Sequence, residues 1–255
     1  MTAPFVTSRT SPSSKAAVAL VHGLAEHHGR YGHVCAALGA AGYDVYAVDL
    51  RGHGRSHGFP GRVGGLDDWI DDVSALVDVA RRGNGDRPLF LLGHSLGALV
   101  SAAFVARNPR RVDGLVLSAI AVLAGADLLA SISDPDAAGI PPQAISRDPD
   151  VVRAYVEDPL VFHDRVPPEA NAAALEAAIE VNQSGSVITL PVLAVHGGAD
   201  GIADVEGARE LFAQLGSGDK ELVVYDGLSH EVMNEPERDR VIGDIVAWLD
   251  RHAGR

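Results

Sequence analysis

Three side chains could combine into an acyl-transfer centre: a serine oxygen, an imidazole and a carboxylate. Ser95 stands in Gly93-His94-Ser95-Leu96-Gly97, between the apolar run Pro88–Leu92 and the apolar run Leu96–Phe104. Two glycines flanking a serine remove the Cβ atoms that would collide in a sharp turn. The serine can then take a strained backbone and project its oxygen. Alone, the pentapeptide fits a glycine turn with a capping serine equally well. The nucleophile reading requires a strand, the turn and then a helix, and the two apolar runs supply that context.

A serine hydroxyl attacks only when a base removes its proton. The chain has 11 histidines, so chain order must choose among them. With a serine on a strand–helix elbow, acid and then histidine follow it. His230, in "YDGLSHEVMNEP", comes directly after the last apolar strand pattern, and Asp200, in "VHGGADGI", directly after the preceding one. Asp200 lies 105 positions beyond Ser95, and His230 another 30 beyond Asp200. The competitors read differently. Asp204 suits a helix N-cap, and Asp226 a turn. His196 ends a strand as a packed core histidine, and His94 should point away from the reaction. His53 and His57 belong to a glycine-rich loop and read as solvated. A tetrahedral intermediate needs two N–H donors on its oxygen. These are expected from the backbone of Leu96, at the start of a helix, and of Leu24, on the loop after the first strand.

The elements that must hold these groups are legible as alternating patterns. Ala16–Gly23, Tyr43–Leu50, Pro88–Ser95, Val112–Ala119, Pro191–Gly198 and Lys220–Gly227 read as strands of a parallel sheet covered on both faces. Helical patterns span Tyr31–Ala41, Leu66–Arg82, Leu96–Asn108, Val205–Leu215 and Pro236–Arg251. The fold class is therefore α/β, a mostly parallel, doubly wound sheet. From about Leu123 to Val187 no strand pattern occurs, and seven of the 14 prolines fall between Pro135 and Pro168. Short helices separated by turns are expected there, packed over the sheet's C-terminal edge. This divides the chain into core (1–122), helical cap or lid (123–187) and core again (188–255).

Composition bounds the partners. A net charge of −13 argues against nucleic acid. The single cysteine, Cys35, excludes a disulfide framework and a cysteine-based zinc site. No apolar run approaches membrane-spanning length, and no signal-peptide pattern opens the chain. A cytoplasmic protein without metal or cofactor is expected.

These residues together resemble a known family. "HGLAEHHGRY" (His22–Tyr31) is similar to the H-G-x-x-E-H-x-x-R-Y signature of monoacylglycerol lipases and related lysophospholipases, and "DLRGHGRSHG" to their D-x-x-G-H-G-x-S-x-G segment. "GHSLGA", "HGGAD" and "HEVMNEPERDRVIGDIVAWL" resemble their elbow, acid loop and histidine loop with final helix. The resemblance covers about residues 16–120 and 188–255. It implies an α/β-hydrolase with a small lid, splitting monoacylglycerols into glycerol and fatty acid without a cofactor. Ser95 would be nucleophile, Asp200 acid and His230 base. His22, Gly23, Glu26, His27, Arg30 and Tyr31 would hold the oxyanion loop in shape. The lid's apolar stretches, around Leu123–Ile132 and Val151–Phe162, would line an acyl tunnel and touch lipid surfaces transiently. Two features depart from the family. The N-terminal hairpin is shortened to one strand near Phe5–Arg9, and the elbow runs Leu96-Gly97-Ala98 where close relatives often have Met-Gly-Gly. A broad carboxylesterase, a lysophospholipase, a perhydrolase and a non-catalytic ligand-binding relative are the alternatives.

Overall fold

The computed structural model describes residues 3–120 and 140–254. Among these residues seven strands form one sheet: β1 (Phe5–Arg9), β2 (Ala16–Val21), β3 (Tyr43–Asp49), β4 (Leu89–His94), β5 (Gly114–Ser118), β6 (Val192–Gly197) and β7 (Lys220–Tyr225). Their spatial order is β1-β3-β2-β4-β5-β6-β7. β1 lies antiparallel on β3, and every other pairing is parallel. All six expected strands form, and the strand expected near Phe5–Arg9 is the seventh, at the sheet's edge.

The described helices are α1 (Gly32–Ala40), α2 (Leu66–Asn84), α3 (Leu96–Arg107), α4 (Pro142–Ile145), α5 (Pro149–Glu157), α6 (Pro168–Ser184), α7 (Val205–Gln214) and α8 (Arg238–Ala253). Because strand side chains alternate between faces, β2 sends Ala17, Ala19 and Val21 to one core and Ala16, Val18 and Leu20 to the other. The first core is closed by α2, α3, α6 and α7, the second by α1 and α8. The pattern of α2 shows how sequence selects a face. Leu66, Trp69, Ile70, Val73, Leu76, Val77 and Ala80 are buried at helical spacing, with Asp67 and Asp68 in the first turn and Arg81 and Arg82 in the last.

The segment between β5 and β6 behaves as its prolines require. Pro142, Pro149 and Pro168 each stand in the opening turn of a helix, where a missing N–H costs nothing. The segment has two characters. Ala170, Ala173, Ala177, Ala178 and Val181 of α6 join the main core. Ile145, Tyr155 and Val161, from α4, α5 and the turn after α5, form a small core of their own, with Ile202 of the loop after β6 against it. The expected apolar stretch around Leu123–Ile132 lies outside the described residues.

Chain direction reverses its sideways progress between β2 and β4, which are neighbours although β3 separates them in sequence. In open α/β sheets the crevice beyond the strand ends at such a switch is where ligands sit. Ser95 follows β4 at this point.

Candidate active site

Ser95 joins β4 to α3 with φ +51°, a left-handed conformation that a side-chain-bearing residue adopts only under constraint. The two glycines make the turn possible. A Cβ on Gly93 would stand 2.3 Å from the Gly97 carbonyl oxygen, and one on Gly97 would stand 2.3 Å from the His22 carbonyl oxygen. The elbow is thus wedged against its own helix and the end of β2. The Ser95 N–H donates to the Ser118 carbonyl at the end of β5 (2.8 Å), which fixes the turn to the next strand.

The later loops bring the other two groups to this oxygen. The Ser95 hydroxyl lies 2.9 Å from His230 Nε2, and His230 Nδ1 lies 2.8 Å from Asp200 Oδ2. A carboxylate can only accept, so Nδ1–H donates to Asp200 and Nε2 is left to accept the Ser95 proton. Asp200 is anchored by Ile202 N–H (2.8 Å) and Ala203 N–H (2.9 Å) on Oδ1. Burial pushes its carboxyl up, but the hydrogen bonds from His196 and His230 outweigh burial and hold it well below the usual carboxylate range. His196 is a buried, hydrogen-bonded histidine as expected, yet it lies 3.2 Å from the same Asp200 oxygen that His230 uses. His94 directs Nδ1 to the Ser118 hydroxyl at 3.1 Å, while its ring stands 4.9 Å, centroid to centroid, from that of His230. Burial first, and then the neighbouring His230, keep it neutral. Asp204 caps α7 by accepting the Glu206 N–H, also as expected.

The loop after β2 arrives beside the serine: a Cβ on Gly23 would lie 3.3 Å from Ser95 Cβ. Glu26 shapes this loop from within. Its Oε1 accepts Gly23 N–H and Tyr31 O–H, both at 2.6 Å, and its Oε2 accepts Arg30 at 2.7 Å. Ala25 takes φ +65° and its carbonyl accepts the Phe162 N–H. His22 is neutral, pushed down to about 4 by burial; its Nδ1–H donates to Gly23 O and its Nε2 accepts Leu50 N–H. Leu24 lies on this loop and Leu96 opens α3, where first-turn amides lack intrahelical acceptors. His27 bonds within this loop and beyond it. Its Nδ1 accepts Gly29 N–H and its Nε2–H donates to Asp158, at the end of α5.

Two buried acids went unread in the sequence. Arg30 reaches Glu231 with two bonds (2.5 and 2.8 Å) as well as Glu26, so one guanidinium joins the loop after β2 to the residue after His230. Burial pushes the Glu231 carboxyl up against the pull of Arg30. Glu235, fully buried, accepts Ser229 N–H and Arg147. The acids of "HEVMNEPE" were the available signal, but no local pattern names their partners. A second difference concerns His53, which reads as solvated but is 4% exposed, between His22 and Trp69, with no partner for Nε2. Gly52 and Gly54 on either side of it take positive φ, +77° and +51°. His57 is exposed.

His27, His28 and Asp49 place potential metal-ligand atoms within 4.8 Å of one another. These atoms are engaged internally: His28 N–H and Nδ1–H donate to Asp49, and His27 is held as above. A groove of about 540 Å³ opens between the loop after β3 (Gly52–Pro60) and residues 159–164; no residue of the Ser95–His230–Asp200 chain lines it.

A hydroxyl, an imidazole and a carboxylate in one hydrogen-bonded chain are the side-chain set that acyl transfer requires. Residues 12–237 match the family model described as serine aminopeptidase, S33, Hydrolase_4. The chain is 40% identical over 246 residues to the monoacylglycerol lipase of Mycolicibacterium smegmatis, covering 92% of this chain and 88% of that one. It is 31% identical to the monoglyceride lipase of Mus musculus, covering 94% and 84%. The crystal structure of Paleococcus ferrophilus monoacylglycerol lipase superimposes with a TM-score of 0.86 at 31% identity, covering 98% of this chain and all of that one. With this match in sequence and in fold, the chain belongs to the Hydrolase_4 family of serine hydrolases, in the α/β-hydrolase superfamily.

Proposed function

We propose that this protein is a serine ester hydrolase acting on monoacylglycerols, with Ser95 as nucleophile, His230 as general base and Asp200 as the acid that orients it. The observation that carries this reading is the unbroken Asp200–His230–Ser95 hydrogen-bond chain on a strained elbow, in a chain 40% identical to a monoacylglycerol lipase.

The course follows from the geometry. His230 Nε2 takes the Ser95 proton as Oγ bonds to the ester carbonyl carbon. Negative charge gathers on the former carbonyl oxygen, where the Leu24 and Leu96 N–H groups stabilise it. Asp200 steadies the imidazolium. The intermediate collapses as the ester C–O bond breaks and His230 returns its proton to the leaving glycerol. Water then repeats the sequence on the acyl-enzyme, releasing fatty acid and restoring Ser95. No step calls for a metal or cofactor. Glu26 serves by fixing Gly23, and Arg30 and Tyr31 by holding Glu26.

The inserted segment is proposed to bind the acyl chain and to meet lipid surfaces transiently, and the enzyme to work in the cytoplasm. Among the described residues no helix is long and apolar enough to cross a membrane.

The test is a rate comparison on monoacylglycerols, diacylglycerols, lysophospholipids and nitrophenyl esters of graded chain length, with a fluorophosphonate probe mapped to its site. The highest kcat/KM on a monoacylglycerol, with the probe on Ser95, supports the proposal. Preference for a lysophospholipid or a short nitrophenyl ester would replace the substrate class, and labelling elsewhere would replace the nucleophile.

A further inference from the structure

The loop carrying His230 is gripped by the insertion at the residues on either side of the imidazole. Before it, Ser229 N–H donates to Glu235 Oε1 (3.0 Å), and the same oxygen accepts the backbone N–H of Arg147 (3.1 Å). Glu235 Oε2 accepts Arg147 Nε–H at 2.8 Å, and the Arg147 guanidinium also meets Glu237. After it, Glu231 N–H donates to Ile145 O at 2.8 Å, and the Ser146 hydroxyl donates to Asn234 O at 3.1 Å. Residues 145–147 thus reach both flanks of His230, Glu231 directly and Ser229 through Glu235, although 88 positions separate Arg147 from Glu235.

Glu235 is wholly buried. A carboxylate taken out of water is tolerated when a cation and hydrogen-bond donors satisfy it. Here Arg147 supplies the charge and two of the donors, and Ser229 supplies the third. Without the Arg147 guanidinium, Glu235 Oε2 loses its donor and its cation, and the Ser229 amide is left on a carboxylate that is no longer clamped. His230 follows Ser229 directly and must keep two contacts, 2.8 Å to Asp200 and 2.9 Å to Ser95. A displacement of about 1 Å in such a pair costs on the order of 100-fold in rate.

We propose that Arg147 is a positioning residue for His230: through Glu235 and Ser229 the docked insertion sets the imidazole between Asp200 and Ser95. The proposal rests on reading Ser95 and His230 as nucleophile and base. Its consequence is that the base is fully in place only while the segment beginning at Ile145 is seated.

The experiment uses the full chain and a small dialkyl fluorophosphate. The probe forms a phosphorus–oxygen bond to Ser95 and expels fluoride, and His230 takes the serine proton. Mass spectrometry of the labelled parent tests the underlying reading, since label away from Ser95 would overturn the triad rather than the role of Arg147. With label on Ser95, Arg147→Gln should react about tenfold to 100-fold more slowly. Arg147→Lys, which keeps the charge and the backbone N–H, should recover most of that loss. On nitrophenyl acetate kcat should fall with KM unchanged. A folded Arg147→Gln protein that labels as fast as the parent would overturn the proposal, and so would equal loss in Gln and Lys variants or a change confined to KM. If Arg147→Gln fails to fold, Glu235→Gln, which keeps an oxygen for Ser229 N–H, takes its place. Slower labelling then supports the role, and unchanged labelling removes it.

Discussion

The elbow and the histidine loop perform adjacent tasks and are built in opposite ways. Ser95 is placed by main-chain sterics: two glycines, a positive φ and contacts to the carbonyls of β2. His230 is placed by side-chain charge, with Glu231 held by Arg30 and Glu235 by Arg147. The first construction is local and rigid. The second draws on the loop after β2 and the insertion together, so it can be perturbed from a distance. The comparison teaches that Ser95 and His230 are exposed to different kinds of change.

The largest expected effect lies at the elbow. Ser95→Ala should reduce kcat about 10⁶-fold with the melting temperature nearly unchanged, read by ester hydrolysis and thermal unfolding. Residual activity above about 1% would place the nucleophile elsewhere. Asp200→Asn should lower kcat about 10⁴-fold, because the amide favours the wrong imidazole tautomer. A near-normal rate would transfer the acid role. Gly97→Ala tests the steric half of the comparison. Its methyl would meet backbone oxygens at 2.3 and 2.4 Å that have nowhere to go, so a loss of about 3 kcal/mol or more in denaturant unfolding is expected. Arg30→Met tests the charged half. It strips Glu26 and Glu231 of their shared cation, and about 3 kcal/mol of stability should go with it. Activity should fall further than stability explains, measured as kcat on the folded fraction.

The smallest effect is a pH dependence away from both regions. Burial pushes the imidazole of His53 down to about 3 and that of His22 down to about 4. Their neutral forms are favoured in the fold, while the unfolded chain takes up protons near 6.5. Their contribution to stability is therefore complete above about pH 6.5 and is lost as pH falls towards those folded values. By pH 5 each costs about 2 kcal/mol relative to neutral pH. His53→Phe, which fills a site where Nε2 has no partner, should flatten the fall in urea midpoint between pH 7 and 5. An unchanged slope would show that His53 is not a source of the acid sensitivity.

Much of this was legible in the sequence for a physical reason. Strands covered on both faces read as apolar runs, and the order of Ser95, Asp200 and His230 follows from which strand each ends. The Glu26 block and the elbow glycines are compact motifs. What stayed hidden is non-local. Arg30 and Glu231 are 201 positions apart, and a charged residue in sequence looks the same whether it faces water or a buried partner. His53 misled because a glycine-rich polar loop suggests a solvated ring, whereas its fold tucks the imidazole against Trp69. His94 was expected to turn from the reaction; its Nδ1 does so, yet its ring packs on the base.

The amides of Ser229 and Glu231 bond to groups outside β7, one to a carboxylate clamped by Arg147 and the other to Ile145. Hydrogen exchange reports which parts of a protein open together. These two amides should therefore exchange in step with residues 145–148 and not with the strand that precedes them. In cooperative-unit terms, His230 is carried on the sheet frame by its covalent chain and on the insertion by its hydrogen bonds. Ser95 and His230 then straddle a seam between two units, and whichever opens more readily sets how much of the time the enzyme is assembled.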